Sequence, residues 1–261
     1  MKMLWYKYWL DSRWVFVLVP TLVILGAVFI LALPDDAAKW VANLQRLRGW
    51  STTESPDTLR SLNSYQGVIW AVWFKGWMLY IWPLLAVALG LNLILPDSPT
   101  GGSGLAPQFG LSLPVTRRRL LTVGAMTHAL ELGGLALGSS LVVPLLASLS
   151  GRGYSVADAV VYALLITGGS LVFLSLAFLL INLIGTWWLA GVIAVGVTMI
   201  LYLSSYIRGL EVPRWNFLYR TMSGESYFLN GEVPWAGLFI TLVLAAAIFY
   251  LAVRLFERRD F

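Results

Sequence analysis

The chain has 261 residues, 59% of them hydrophobic and 12% charged, with a mean hydropathy of +0.77 and a net charge of +5. Soluble domains carry roughly 25% charged residues and disordered chains need low hydrophobicity, so both classes are excluded. With no cysteine, disulfide frameworks, thiolate metal sites and cysteine nucleophiles are absent, and one histidine leaves no histidine-based metal site unless subunits share it.

What remains is an all-α polytopic membrane protein. A crossing takes about 20 apolar residues, and six stretches qualify: 15–33, 76–95, 120–149, 159–181, 187–206 and 235–256. Ahead of the first lie Trp5, Tyr6, Tyr8, Trp9 and Trp14 with Lys2, Lys7 and Arg13. That mixture suits either an amphipathic helix in the headgroup region or the aromatic belt of the first span. The run 15–33 is longer than a signal-peptide core and has no small-residue cleavage site before Pro34, so it reads as a retained span. In segment 34–75, Trp40, Val41, Leu44 and Leu47 follow helical spacing and predict a short surface helix. Trp70, Trp73, Trp77 and Trp82 read as the outer entry of the second span, with Lys75 snorkelling beside them. Stretch 120–149 exceeds one crossing and must tilt, extend beyond the bilayer or end near Pro144. Segment 207–234, with Trp215, Phe217, Tyr219, Tyr227 and Phe228, suits short interfacial or re-entrant pieces.

Six spans place both termini on one side. That side carries Lys2, Lys7, Arg13, Arg117, Arg118, Arg119, Arg254, Arg258 and Arg259 against only Asp11, Asp97, Glu257 and Asp260, whereas the other side balances its charges. Basic residues abutting span ends mark the cytoplasm, so both termini are expected there. The two long loops, 34–75 and 207–234, are then external, and 96–119 is the one internal loop large enough to meet a partner.

Few groups carry chemistry. No Gly-Lys pair exists, so there is no phosphate-binding P-loop. Gly101-Gly102-Ser103-Gly104 superficially matches an intramembrane serine protease, but Ser103 lies in a Pro/Gly-rich loop, where a flexible linker is the better reading. No catalytic residue and no metal ligand set is assigned. Glu131 falls about 11 residues into its span, near mid-bilayer, where an ionisable group costs about 2.5–3.5 kcal/mol or more. His128, three residues earlier, shares its helix face and can hydrogen-bond to it. The pair is either a polar element of a translocation path or an inward-facing structural contact. Gly134 and Gly138 extend the face as a small-xxx-small pair, consistent with close helix packing or a subunit seam.

The most specific stretch is Phe109-Gly110-Leu111-Ser112-Leu113-Pro114-Val115-Thr116-Arg117-Arg118-Arg119-Leu120-Leu121. It closely resembles the Leu-Pro-Val-Ser/Thr-Arg-Arg-x-Leu-Leu signature ahead of the third span in permease subunits of ABC-2-type ABC transporters. The ending Phe256-Glu257-Arg258-Arg259-Asp260-Phe261 is similar to the Phe-x-Arg-Arg-Asp endings of such permeases. The resemblance covers the whole chain in layout and two short motifs in residues. It departs upstream, where family members commonly place an acidic residue and a Gly-Thr pair before the Leu-Pro, while here Asp97 is displaced towards span two.

The resemblance implies a membrane subunit of an ATP-driven exporter in the prokaryotic inner membrane. Its coupling helix would comprise Ala106, Gln108, Phe109, Leu111, Leu113 and Pro114, with Arg117, Arg118 and Arg119 at its exit. Two separate ATPase subunits would hold ATP and magnesium, with no cofactor on this chain. A second copy or a similar permease would complete the complex, and membrane lipid surrounds it; no nucleic-acid partner is expected. Other classes stay open: an ion-coupled carrier using Glu131, or a non-transporting scaffold or intramembrane enzyme.

Overall fold

The computed structural model describes residues 2–31, 64–93, 116–204 and 217–258. Among these the chain is helical throughout, with no strand. In chain order the helices are α1 (Lys2–Asp11), α2 (Val15–Leu31), α3 (Tyr65–Leu91), α4 (Arg117–Leu149), α5 (Val156–Ile184), α6 (Trp187–Ser204), α7 (Phe217–Ser223), α8 (Glu225–Asn230) and α9 (Trp235–Glu257). Five of them, α3, α4, α5, α6 and α9, are long and apolar enough to cross a membrane, and α2 is a shorter apolar helix. The expected surface helix around Trp40–Leu47 lies outside the described residues.

Helix ends follow local chemistry. The Thr116 hydroxyl accepts from the Arg119 amide at 3.3 Å and the Ser155 hydroxyl from the Asp158 amide at 3.3 Å, each satisfying an otherwise orphan donor in the first turn. Gly185, with φ of 80°, ends α5 in the left-handed conformation that glycine adopts without steric cost.

Helix α5 is the hub, packed against α3, α4, α6, α7 and α9. It buries Leu165, Ile166, Phe173 and Phe178 completely. Glycines permit several tight approaches. A Cβ on Gly90 of α3 would collide with the Leu174 carbonyl oxygen, and one on Gly169 of α5 with the Met222 side chain. By contrast α6 and α9 leave large apolar side chains such as Val192, Ile200, Phe239 and Leu251 exposed. Such a surface costs little in hydrocarbon and much in water.

Three expectations change. Helix α3 starts at Tyr65, capped by Ser64, so the last part of segment 34–75 is helix and not loop. Its residues Trp70–Met78 form π-helical turns. Second, Trp70, Trp73 and Trp82 are buried to 1% exposure and do not form an aromatic belt. The Trp70 indole donates to the Ser223 carbonyl at 2.8 Å and stacks on Phe228 at 4.4 Å, while Trp73 packs over Gly26 of α2. Lys75 places its ammonium 4.9 Å from the Trp70 ring centroid, a cation–π distance. Third, Pro144 does not end α4, which runs unbroken for 33 residues, about 50 Å at 1.5 Å per residue. Segment 207–234 carries two short helices, α7 and α8, before α9.

Gly90→Leu drives a side chain into backbone, so it should lower stability by about 1–3 kcal/mol or more. Gly138→Ala, where nothing lies within 4 Å of the added methyl group, should be neutral or mildly stabilising. Thermal unfolding of both variants in detergent distinguishes a tight α3–α5 contact from a loose one.

Candidate functional site

The i, i+3 spacing of His128 and Glu131 works out as a contact: His128 Nδ1 lies 2.8 Å from Glu131 Oε2. The other carboxylate oxygen, Oε1, accepts from the Ser12 hydroxyl at 2.5 Å. Ser12 belongs to the turn between α1 and α2, so the cluster joins elements 119 positions apart. All three residues are buried, His128 and Ser12 to 0% exposure and Glu131 to 7%. Tyr8, one turn earlier on α1, presents its ring edge-on to His128 at 6.0 Å and donates its hydroxyl to the Leu120 carbonyl at 3.4 Å. A Cβ on Gly124 would overlap the Tyr8 ring, which explains why α1 seats so closely on α4.

With its proton on Nδ1, His128 donates to the carboxylate. Its Nε2, buried without a partner among the described residues, is then a lone pair, which costs less than an unpaired N–H. Ser12 has a second option. Its hydroxyl also lies 3.0 Å from the Tyr8 carbonyl and 3.2 Å from that of Trp9, and one hydroxyl carries one proton. The hydroxyl therefore either ties the α1–α2 turn to Glu131 of α4 or closes back on the α1 backbone.

Ser12 precedes α2 by three residues, so its bond to Glu131 sets Glu131 level with the start of α2. Leu93, just past α3, reaches Gly124 of α4, and Glu131 lies seven residues further, about 10 Å along the helix. The first turns of α4 thus occupy the end of the bundle.

Arg118 and Arg119 are exposed in the first turn of α4, and Arg117 opens it. Cations there oppose the helix dipole, so the triplet does not serve helix stability. Ala106, Gln108, Phe109, Leu111, Leu113 and Pro114 lie outside the described residues. Among the described residues nothing lies within 4 Å of a Cβ added at Gly134 or Gly138, so neither mediates packing there. Among the described residues no three His, Asp or Glu side chains come together as a metal site.

A second polar contact closes the opposite end of the bundle. Tyr227 of α8 donates its hydroxyl to Asp158 of α5 at 2.8 Å, within an aromatic group containing Phe74, Tyr154 and Tyr162. Burial, then the hydrogen bond to Asp158 and the aspartate's charge, push the Tyr227 phenol up to about 12; burial also raises that of Tyr154.

No protein-family model, no curated protein and no solved structure matches the chain.

A double-mutant cycle of Ser12→Ala and Glu131→Gln, read as unfolding free energy in detergent, should give a coupling of about 1–3 kcal/mol; additivity would mean the contact carries no energy. At the other end, the Tyr227 phenol binds its proton more tightly folded than unfolded, so its contribution is complete below about pH 10 and is lost as pH rises through about 12. Tyr227→Phe should accordingly show a shallower alkaline loss of thermal stability than the parent.

Proposed function

We propose that this chain is the membrane-spanning permease subunit of an ABC-2-type ATP-driven exporter. It would cross a prokaryotic inner membrane six times, with α2 as the first span, α1 at the membrane interface and both termini in the cytoplasm. The observation that carries the reading is the stretch from Phe109 to Leu121, whose arginine triplet opens a long unbroken helix. A helix of that length is a stiff element. Force applied at residues 106–114 would enter α4 at its N-terminus, reach α1 and α2 through Glu131 and Ser12, and reach the hub α5 along the α4–α5 contact.

Two ATPase subunits would bind ATP and magnesium, and their closure would press on Ala106–Leu113. Such coupling requires that the loop contact the two ATPase states differently. A second permease would supply the other half of the pathway, meeting this chain along one of its exposed apolar faces while lipid covers the rest. An ion-coupled carrier is the second reading, favoured by the buried carboxyl group of Glu131 between Ser12 and His128. Transport by Glu131→Gln that stays strictly ATP-dependent, with no proton dependence in the parent, would count against it.

The permease reading expects an ATPase with a Walker motif to co-purify with the chain. Leu111→Asp or Phe109→Asp should abolish stimulation of that ATPase while membrane insertion is unchanged. Retained stimulation in both variants would remove the docking assignment.

A further inference from the structure

A groove of about 580 Å³ runs between α1, the start of α2 and α4, within the roughly 300–1,000 Å³ that small-molecule sites occupy. One wall is aromatic, formed by Trp5, Tyr6, Trp9 and Phe16. Successive ring centroids lie 6.3 Å apart for Tyr6 and Trp9 and 6.1 Å for Trp9 and Phe16, so the wall is continuous. Among the described residues that line it, Glu131 is the only charged one. Thr127, the one hydroxyl residue α4 adds, already donates to the Val123 carbonyl at 2.8 Å. The floor is Gly134, exposed, with nothing within 4 Å of a built Cβ. Glycine inside a helix costs about 1 kcal/mol relative to alanine, and any larger residue here would project into the groove. The groove is open at the site where helix propensity would favour closing it.

We infer that this groove binds membrane-partitioned organic cations: apolar bodies carrying one delocalised or quaternary positive charge. Aromatic faces attract cations through their quadrupole, and a largely covered carboxylate holds its field in a medium of low dielectric. Both features repel an anion of the same shape, and a neutral ligand gains nothing from the carboxylate. Because Glu131 is held by Ser12 and His128, the position of its carboxyl group at the groove is fixed before a ligand arrives. The inference does not rest on the exporter reading, since binding needs no ATPase.

The test is equilibrium dialysis of the full-length chain in dodecyl maltoside with radiolabelled tetraphenylphosphonium, and in parallel with tetraphenylborate, which matches its shape with opposite charge. Saturable binding of the cation and none of the anion is expected. Gly134→Leu should abolish that binding, and Glu131→Gln should weaken it about ten-fold, with helix content by circular dichroism and gel-filtration behaviour unchanged. Should Glu131→Gln fail to fold, Trp9→Ala serves in its place, since Trp9 is half exposed and its truncation should also weaken the cation. Equal binding of both probes would reduce the groove to an unselective apolar recess and overturn the inference. So would parent-like affinity in Gly134→Leu, or no saturable binding at all.

Discussion

A carboxyl group enclosed by apolar helices is tolerable only if each oxygen has a partner, because an unpaired buried polar group costs more than its hydrogen bond returns. Glu131 meets that requirement from two directions, His128 on its own helix and Ser12 from the turn after α1. The partnership dictates where the N-terminal segment goes. Helix α1 carries aromatic side chains that divide between the buried and exposed sides, with Tyr8 buried and Tyr6 and Trp9 exposed, so hydrophobicity alone would not choose a face. The Ser12–Glu131 bond and the Tyr8 ring over Gly124 choose it. With α1 fixed on α4, the groove between them and the level of the first turn of α2 follow.

The apolar helices were legible because a crossing segment declares itself by length and composition, which need no knowledge of neighbours. The His128–Glu131 contact was legible too, since the geometry of one helix sets it. Ser12 was not, because nothing local in a serine between Asp11 and Arg13 points to a residue 119 positions away. The tryptophans of α3 misled for a different reason. When every face of a span is apolar, lipid-facing and protein-facing sides have the same composition, and an indole that finds a carbonyl, as Trp70 finds that of Ser223, can be internal as comfortably as interfacial. The same blindness applies to glycine. Gly134 and Gly138 have the spacing of a packing motif yet stand open to the described residues, while Gly169, with no such partner at four residues, sits at a tight approach.

The start of α4 is shaped by a conflict. Arg117, Arg118 and Arg119 put three positive charges where the helix dipole is already positive, and the Thr116 cap compensates for only part of that. Basic residues at a span end orient a membrane protein, and they also attract an acidic or phosphate-bearing partner surface. Orientation needs the charges near the span but not one after another in the first turn. Their clustering directly after a Leu-Pro stop gives the permease reading its weight: it concentrates charge where a short docking segment would hand over to a rigid helix.

If residues 106–114 dock an ATPase as proposed, that rigid helix makes the groove and the docking segment one mechanical problem. Force entering at Arg117 would travel through about 14 residues, roughly 21 Å of helix, before reaching Glu131. There it would meet the buried hydrogen bond that ties α4 to the turn between α1 and α2, the second such tie after that of Tyr8 to the Leu120 carbonyl. A shift of α4 by even half a turn would separate Glu131 from Ser12 and change the distance between Gly134 and the aromatic wall together. A cation in the groove draws on the same carboxylate, so its affinity must differ between the tied and untied states. By linkage, the ligand then biases α4 as much as α4 biases the ligand. In the permease reading proposed above, a carboxylate held by Ser12 and offered to a ligand would couple the two, alongside the α4–α5 contact.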